Sequence, residues 1–301
     1  MFYDNERRRV VSSIGWADRA AIWVFDLASE RVELIPIPDA KFVTVRRDGE
    51  VVRVTHFGGN IPTIAIRTLS NLGQDAAVLR IERDRPTFSG DARLWASIDA
   101  CALLPTKEGT RLVFIDAPSE SVRFLDLEWY LQGEYDHAYQ GLIDCLSPPG
   151  REYTIVSIQR SSRLVVLDVR KNEKVREISL ADRGGNPLLT LLSDTAMLAT
   201  DYDTMCRVDL GSMSLVASQR LQGDSDKGAR HFVGDFSLDE AGVLLARPFS
   251  GDALLLDPTH FSILDRAVTG GEPLQAVRVS SNAVLARDWK TGHPLQGTFA
   301  G

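Results

Sequence analysis

The chain has few of the features that mark metal-binding or redox proteins. Its 301 residues include only three cysteines and five histidines. Neither residue type occurs at the short spacings of a metal site, so the sequence predicts no histidine or cysteine metal centre. We expect buried free thiols rather than a disulfide or a redox pair at the three cysteines, which are Cys101, Cys145 and Cys206.

Long apolar runs and blocks of like charge are also missing. No stretch has the length and low charge of a membrane span, and the basic residues near the start precede no apolar run of signal-peptide length. The net charge of −7 and the pI of about 5.3 make phosphate backbones and anionic membranes unfavourable partners. The sequence therefore predicts a cytoplasmic protein with no nucleic-acid and no membrane partner, provided that no signal has been removed.

What the chain has instead is a repeated hairpin. In SSRLVVLDVRKNEKVREISL, residues 161–180, an apolar strand ends in an Asp and is followed by a polar turn and an alternating strand. Further copies begin at Ala21, Arg111, Met205 and Ala253. Two weaker copies carry Arg67 and Gly297 where the Asp would stand. Successive copies lie 40 to 52 residues apart, a period that is typical of propellers with four strands per blade.

The segments between these hairpins are strands as well. KFVTVRRDGEVVRVTHFGG reads as two strands around an Asp-Gly turn, a strong hairpin signal. The sequence therefore predicts an all-β fold, a single β-propeller domain over residues 1–301 with seven blades of four antiparallel strands. Six blades are the alternative, because the first unit lacks room for an inner strand before Arg9 and the last lacks an outer strand after Phe299.

The repeat pattern resembles a known group of propellers. VVLDVRKNEKV and VRRDGEVVRV are similar to YVTN-type and related lactonase-like repeats, and the Trp-Asp endings of WD repeats are lacking. The resemblance extends over nearly the whole chain and implies ligands at one rim, formed by the loops from an outer strand to the next inner strand and from second to third strands. It does not specify an activity, because these propellers include enzymes, binding modules and scaffolds.

Two sets of recurring residues are expected to be structural. The repeated Asp falls just before each tight turn, where its carboxylate can accept backbone N–H bonds; the positions are Asp26, Asp116, Asp168, Asp209 and Asp257. Trp16, Trp23 and Trp95 fall in predicted strands and are expected to pack between blades. Trp129 and Trp289 fall in predicted loops, where exposure is expected.

The predicted rim loops hold the candidate binding residues. The longest, residues 128–140, is rich in aromatic side chains that can anchor a partner or line a ligand; alternatively it folds down and plugs the channel mouth. Its candidates are Trp129, Tyr130, Glu134, Tyr135, Asp136, His137 and Tyr139. Other rim loops contribute Asn186, Asp201, Tyr202, Asp203, Arg230, His231 and Trp289. No cofactor is predicted, although the oxygens of Asn186, Asp201 and Asp203 would suit calcium, which lactonase-like propellers can hold near the axis.

No nucleophile elbow, HExxH motif or serine-type triad is present in the sequence. The favoured hypothesis is a non-catalytic propeller that binds a protein or a small molecule with one loop rim around the central channel. The alternative is a lactonase, hydrolase or lyase with its site at the channel mouth. A third hypothesis is a subunit of a larger assembly, in which another chain completes the truncated closing blade. The sequence does not predict the oligomeric state.

Overall fold

A computed structural model describes residues 1–14, 20–83, 85–98, 100–106, 109–125, 142–159, 161–180, 185–201, 203–221, 235–248 and 250–300. Within these ranges the chain forms seven antiparallel sheets, and in each sheet the strands follow one another in chain order. The fold is an all-β propeller of seven blades with three to five strands each, which confirms the predicted fold class and blade number. In the described ranges no helix is long and apolar enough to cross a membrane.

The first three blades differ in their number of strands. Blade 1 contains β1 (Phe2–Asp4), β2 (Arg9–Ile14), β3 (Ala21–Asp26) and β4 (Arg31–Pro36). Blade 2 contains β5 (Ala40–Asp48), β6 (Val51–Gly58), β7 (Ile61–Thr68), β8 (Ala77–Glu82) and β9 (Arg85–Gly90). Blade 3 contains, in its described part, β10 (Cys101–Thr106), β11 (Gly109–Asp116) and β12 (Ser121–Leu125).

The remaining blades are regular except for the last one. Blade 4 contains β13 (Leu142–Leu146), β14 (Tyr153–Ile158), β15 (Arg163–Asp168) and β16 (Glu173–Ser179). Blade 5 contains β17 (Leu189–Ser193), β18 (Ala196–Asp201), β19 (Thr204–Asp209) and β20 (Ser214–Arg220). Blade 6 contains β21 (Phe236–Asp239), β22 (Gly242–Arg247), β23 (Asp252–Leu256) and β24 (Ile263–Val268). Blade 7 contains β25 (Pro273–Arg278), β26 (Ala283–Asp288) and β27 (Pro294–Thr298).

The sequence predicts that the first blade lacks an inner strand and that the last blade lacks an outer strand. The expectation that no inner strand fits before Arg9 is wrong, because three residues suffice: β1 pairs with β2 from Phe2↔Val11 to Asp4↔Arg9. The expectation for the last unit is confirmed, because β27 is the outermost strand of blade 7.

The hydrophobic core consists of clusters that lie between neighbouring blades. The middle strands are the most buried, and β22 and β23 are buried along their whole length, because both faces of a middle strand lie against neighbouring blades. The outer strand β4 is almost entirely exposed. A typical cluster joins Ile155 and Leu164 of blade 4 to Met197 and Val208 of blade 5. Each blade therefore depends on its neighbours for burial of its apolar faces.

Blade 7 packs against blade 1 and closes the ring. Trp23 is fully buried at this seam in a cluster with Val10, Phe25, Val277 and Leu285. Its ring is stacked on Phe25 with centroids 6.1 Å apart, as predicted for a tryptophan packed between blades. Its indole N–H donates to the backbone carbonyl of Gly292, 3.0 Å away, on the opposite side of the seam.

The repeated Asp caps its turn, as predicted. Asp168 Oδ1 accepts the N–H groups of Arg170 and Lys171, both at 2.9 Å. The hydrogen bond from Lys171 contributes most to lowering the pKa of Asp168 below its usual value. The same backbone capping is found at Asp26, Asp209 and Asp257, whereas Asp116 accepts the Ser119 hydroxyl instead.

Trp95 does not lie in a strand, contrary to the prediction. It belongs to a short 3₁₀ helix, Ala92–Ser97, and the side chain of the preceding Asp91 accepts the N–H of Arg93. Trp95 is nevertheless buried, with its ring edge-on to Phe88 at 5.3 Å. The burial of Trp95 agrees with the prediction, and Asp91 stands at the start of the helix as a favoured N-cap residue. Trp16 lies outside the described residues.

Candidate functional site

The ring has two rims, and the predicted site residues that the structure describes lie on one of them; they are Asn186, Asp201, Asp203 and Trp289. We call this rim the loop rim; it is formed by the connections from each outer strand to the next inner strand and from second to third strands. The following predicted residues lie outside the described ranges: Trp129, Tyr130, Glu134, Tyr135, Asp136, His137, Tyr139, Tyr202, Arg230 and His231. Their assignment to a binding site stays a prediction.

Asp201 and Asp203 lie at the β18–β19 connection, and both side chains are buried. Asp201 Oδ1 accepts the N–H of Gly185 at 3.0 Å, beside the predicted residue Asn186. Asp203 Oδ2 pairs with Arg220 Nε at 2.7 Å, and its Oδ1 accepts the Thr204 hydroxyl at 3.1 Å. These contacts hold the loop in place. Over the described ranges no group of three or more His, Cys, Asp or Glu residues could hold a metal ion, and the calcium assignment stays a prediction.

Trp289 is the predicted residue that the described loop rim presents to solvent, with 40% of its surface exposed. It follows β26, and its indole N–H donates to the Glu272 carboxylate. Lys290 pairs with the same carboxylate, and its ammonium lies 5.6 Å from the centre of the indole ring. The hydrogen bond from Lys290, followed by that from Trp289, lowers the pKa of Glu272. The ring is thus an exposed aromatic group held by polar contacts, as at many binding surfaces.

One polar side chain reaches the backbone of a non-adjacent blade on the axial side of the ring. Arg46 on β5 of blade 2 donates through Nη1 to the carbonyl of Cys145 on β13 of blade 4, 3.2 Å away. Because blade 3 separates these two blades around the ring, the contact spans the channel that the innermost strands enclose. We call the residues that converge here the axial cluster; they are Arg46, Asp144, Asp235, Gln275 and Arg287.

Asp144 is the most perturbed acid of the axial cluster. Its two carboxylate oxygens accept the N–H groups of Cys145 and Leu189, both at 2.8 Å. Removal from solvent raises the pKa of Asp144 from 3.8 to about 6, although the Arg46 charge acts in the opposite direction. Asp235, directly before β21 of blade 6, adds a small upward contribution. A carboxyl group that titrates near neutral pH is more typical of a functional site than of a surface.

The other side of the axial cluster is a hydrogen-bonded chain. Gln275 Nε2 donates to Asp235 Oδ2 at 2.8 Å, and Arg287 Nη2 donates to Gln275 Oε1 at 3.3 Å. Ser12 of blade 1 also donates to Gln275 Oε1, so the chain crosses the seam that closes the ring. Arg287 is only 7% exposed, and its Nε has no hydrogen-bond partner in the described structure. Burial lowers the pKa of Arg287.

The axial cluster has no signal in the sequence. Its five members lie up to 241 residues apart, as Arg46 and Arg287 show, and no spacing or motif connects them. A comparison of inner strands between repeats gives no common position, because these strands range from three residues in β1 to nine in β5. Only the closed ring brings these residues together.

The cysteines contribute no chemistry to the site. All three are free and buried, as predicted. Burial, with a smaller contribution from the Asp144 charge, raises the pKa of the Cys145 thiol to about 12. The thiolate, which is the nucleophile and the metal ligand, is therefore unfavourable at this position.

The sheets, the rim and the axial channel define the chain as a β-propeller. Among solved structures, the chain is similar to the β-propeller domain of Cps50 (Swd1) from Myceliophteria thermophila, with a TM-score of 0.63 and 13% identity. That match covers 99% of this chain and 95% of the other. Apo AztD from Citrobacter koseri matches at a TM-score of 0.45 and 10% identity over 88% of each chain. No family model and no curated protein matches the sequence, so the YVTN/lactonase-like resemblance stays a prediction.

Proposed function

We propose that the chain is a non-catalytic binding propeller that docks a protein partner on its loop rim. The observation that carries the proposal is the exposed ring of Trp289, which Glu272 and Lys290 hold in one orientation. A pre-oriented indole contributes large contact area at little entropic cost, and tryptophan is enriched among the residues that dominate binding energy. The aromatic loop over residues 128–140 lies outside the described ranges, and its assignment to the same rim stays a prediction from the sequence.

Trp289→Ala is expected to weaken capture of the partner by about 30-fold or more, the effect of losing a dominant interface residue. The measurement is quantitative co-purification from the native cell extract, followed by titration of each captured protein against the purified variant. Leu34→Ala is the matched control, because Leu34 is also exposed, at 52%, but lies on the outer strand β4. Equal loss in both variants, or no loss with Trp289→Ala, would contradict docking on the loop rim.

The raised pKa of Asp144 supports a second candidate function, which is hydrolysis or elimination at the channel mouth. A carboxylate with a pKa of about 6 has the basicity that general-base catalysis needs near neutral pH. Asp235 and Arg287, which Gln275 connects by hydrogen bonds, could orient a polar substrate beside Asp144. General-base catalysis at this position requires the raised pKa of Asp144 and a channel mouth that admits a substrate.

Both requirements are testable with Asp144→Asn. Because the folded pKa of Asp144 exceeds the unfolded value, the fold binds more protons, and stability falls as pH rises between about 4 and 6. We expect wild type to lose about 2 kcal/mol relative to Asp144→Asn over that range, measured by urea unfolding. An unchanged difference would contradict the raised pKa. If wild type hydrolyses lactone or aryl-ester probes and Asp144→Asn does not, the result supports catalysis at the channel mouth. If wild type hydrolyses neither probe, the result supports the non-catalytic binding function.

A further inference from the structure

Among the described residues, no further strand pairs with the outer edge of blade 7. β27 is the last strand of its sheet, and the N–H of Phe299 donates to Asn282, on the β26 side, at 3.0 Å. Hydrogen-bonding direction alternates along an antiparallel strand, so Leu295 and Gly297 also face β26 while Gln296 faces outward. Gln296 is exposed, and its N–H and C=O are open to an added strand.

One end of this edge is already fixed. An isolated bridge joins Phe299 to Ala267 of β24 in blade 6. The bridge holds the two blades together beyond β27 and leaves the segment from Pro294 to Gln296 uncovered by any described strand. Pro294 has no N–H and contributes only its carbonyl, so Gln296 supplies both the donor and the acceptor of the open edge.

A cleft of about 330 Å³ opens beside Gln296. Its walls are apolar and polar in similar parts and come from three blades; the apolar side chains include Phe25 and Leu27 of blade 1, Val268 of blade 6, and Leu285 of blade 7. Val268 is 68% exposed. Glu30 lines the same cleft, and no ion pair involves it among the described residues.

We propose that an extended segment of a partner protein completes blade 7 by pairing with Gln296 as a fourth strand. The segment places one or two apolar side chains in the cleft and a Lys or Arg beside Glu30. Backbone pairing supplies affinity and the cleft supplies selectivity, as in other strand-addition complexes. This surface is separate from the loop rim, so the proposal does not depend on the rim function.

The test uses the full chain and a synthetic probe, an acetylated and amidated octapeptide of alternating Lys and Val. We expect saturable binding with a Kd below about 1 mM and slower hydrogen exchange at the Gln296 amide. A peptide with N-methylated alternate amides keeps the side chains but cannot pair, and it should not bind. Absence of binding, or binding that leaves Gln296 exchange unchanged, would overturn the proposal.

Gln296→Pro is the decisive variant, because it removes an outward N–H and leaves the bonds to β26 in place. We expect about ten-fold weaker binding of the octapeptide. Ser218→Pro is the matched control: Ser218 pairs with Cys206 in β19 and faces outward on the edge of β20, so peptide binding should be unchanged. Should Gln296→Pro unfold by circular dichroism, Ala283→Leu replaces it, because Ala283 lines the cleft and a larger side chain fills it. Binding that survives the cleft or edge variant would overturn the site.

Glu30→Lys tests the charge of the occupant on the same protein. The Lys-Val octapeptide should bind more weakly to this variant, and a Glu-Val octapeptide should bind better to it than to wild type. If wild type and Glu30→Lys prefer the same one of the two octapeptides, the proposal that the partner places a basic side chain beside Glu30 is wrong.

Discussion

Trp23→Ala is expected to lower the free energy of unfolding by about 3–5 kcal/mol, the usual cost of truncating a buried aromatic side chain. Trp23 is fully buried between the first and last blades, so the variant opens a cavity at the closure of the ring. It also removes the donor to the Gly292 carbonyl. Because a whole domain is stable by only about 5–15 kcal/mol, this single change should remove a large part of the total.

Urea unfolding followed by circular dichroism measures the effect. Trp23→Phe keeps an aromatic ring at the seam but loses the N–H donor, and we expect a smaller loss than with Trp23→Ala. Trp289→Ala, on the exposed rim, serves as the tryptophan control and should leave stability unchanged. If Trp23→Ala is as stable as wild type, blade 7 does not close on blade 1 in solution.

Asp252→Ala is the second large expected effect. Asp252 is fully buried at the β22–β23 turn, and its carboxylate accepts hydrogen bonds from Arg247 Nε at 2.7 Å and Arg247 Nη2 at 2.5 Å. Arg266 Nε reaches the same carboxylate at 2.5 Å. Removing the acid leaves the buried Arg247 guanidinium without its acceptor, which typically costs about 3–5 kcal/mol.

The double variant Arg247→Met with Asp252→Leu separates the two contributions in the same unfolding experiment. Replacing both charges with apolar groups removes the stranded charge, so the double variant should recover most of the stability that Asp252→Ala loses. Glu152→Ala is the surface control, because Glu152 pairs with Arg170 at 2.9 Å in an exposed position, where ion pairs contribute little. A double variant less stable than Asp252→Ala would contradict this account of the network.

The repeat is recognisable in the sequence because each copy must form the same tight turn between two strands. A strand must turn tightly, and an Asp before the turn satisfies backbone N–H groups, as Asp168 does. Blade 2 departs from this pattern for a visible reason. Arg67 replaces the Asp there and reaches Asp75 and the Leu72 carbonyl, which anchors the longer connection between β7 and β8 within the five-stranded sheet.

The candidate site was predicted less completely, because its residues depend on contacts between blades. Exposure of Trp289 followed from its loop position, but its contact with Glu272 joins two rim loops. Asp144 belongs to a short inner strand, and its raised pKa depends on the closed channel around it. The short pairing of β1 was missed because three residues carry little strand signal.

A crystal structure of residues 1–301 tests the central claim of a closed seven-bladed ring most directly. The predicted result is seven antiparallel sheets around one axis, with the Trp23 indole N–H on the Gly292 carbonyl between the first and seventh sheets. Six sheets around the axis, or β25 to β27 packed anywhere other than against blade 1, would contradict the closure and separate the residues of the axial cluster.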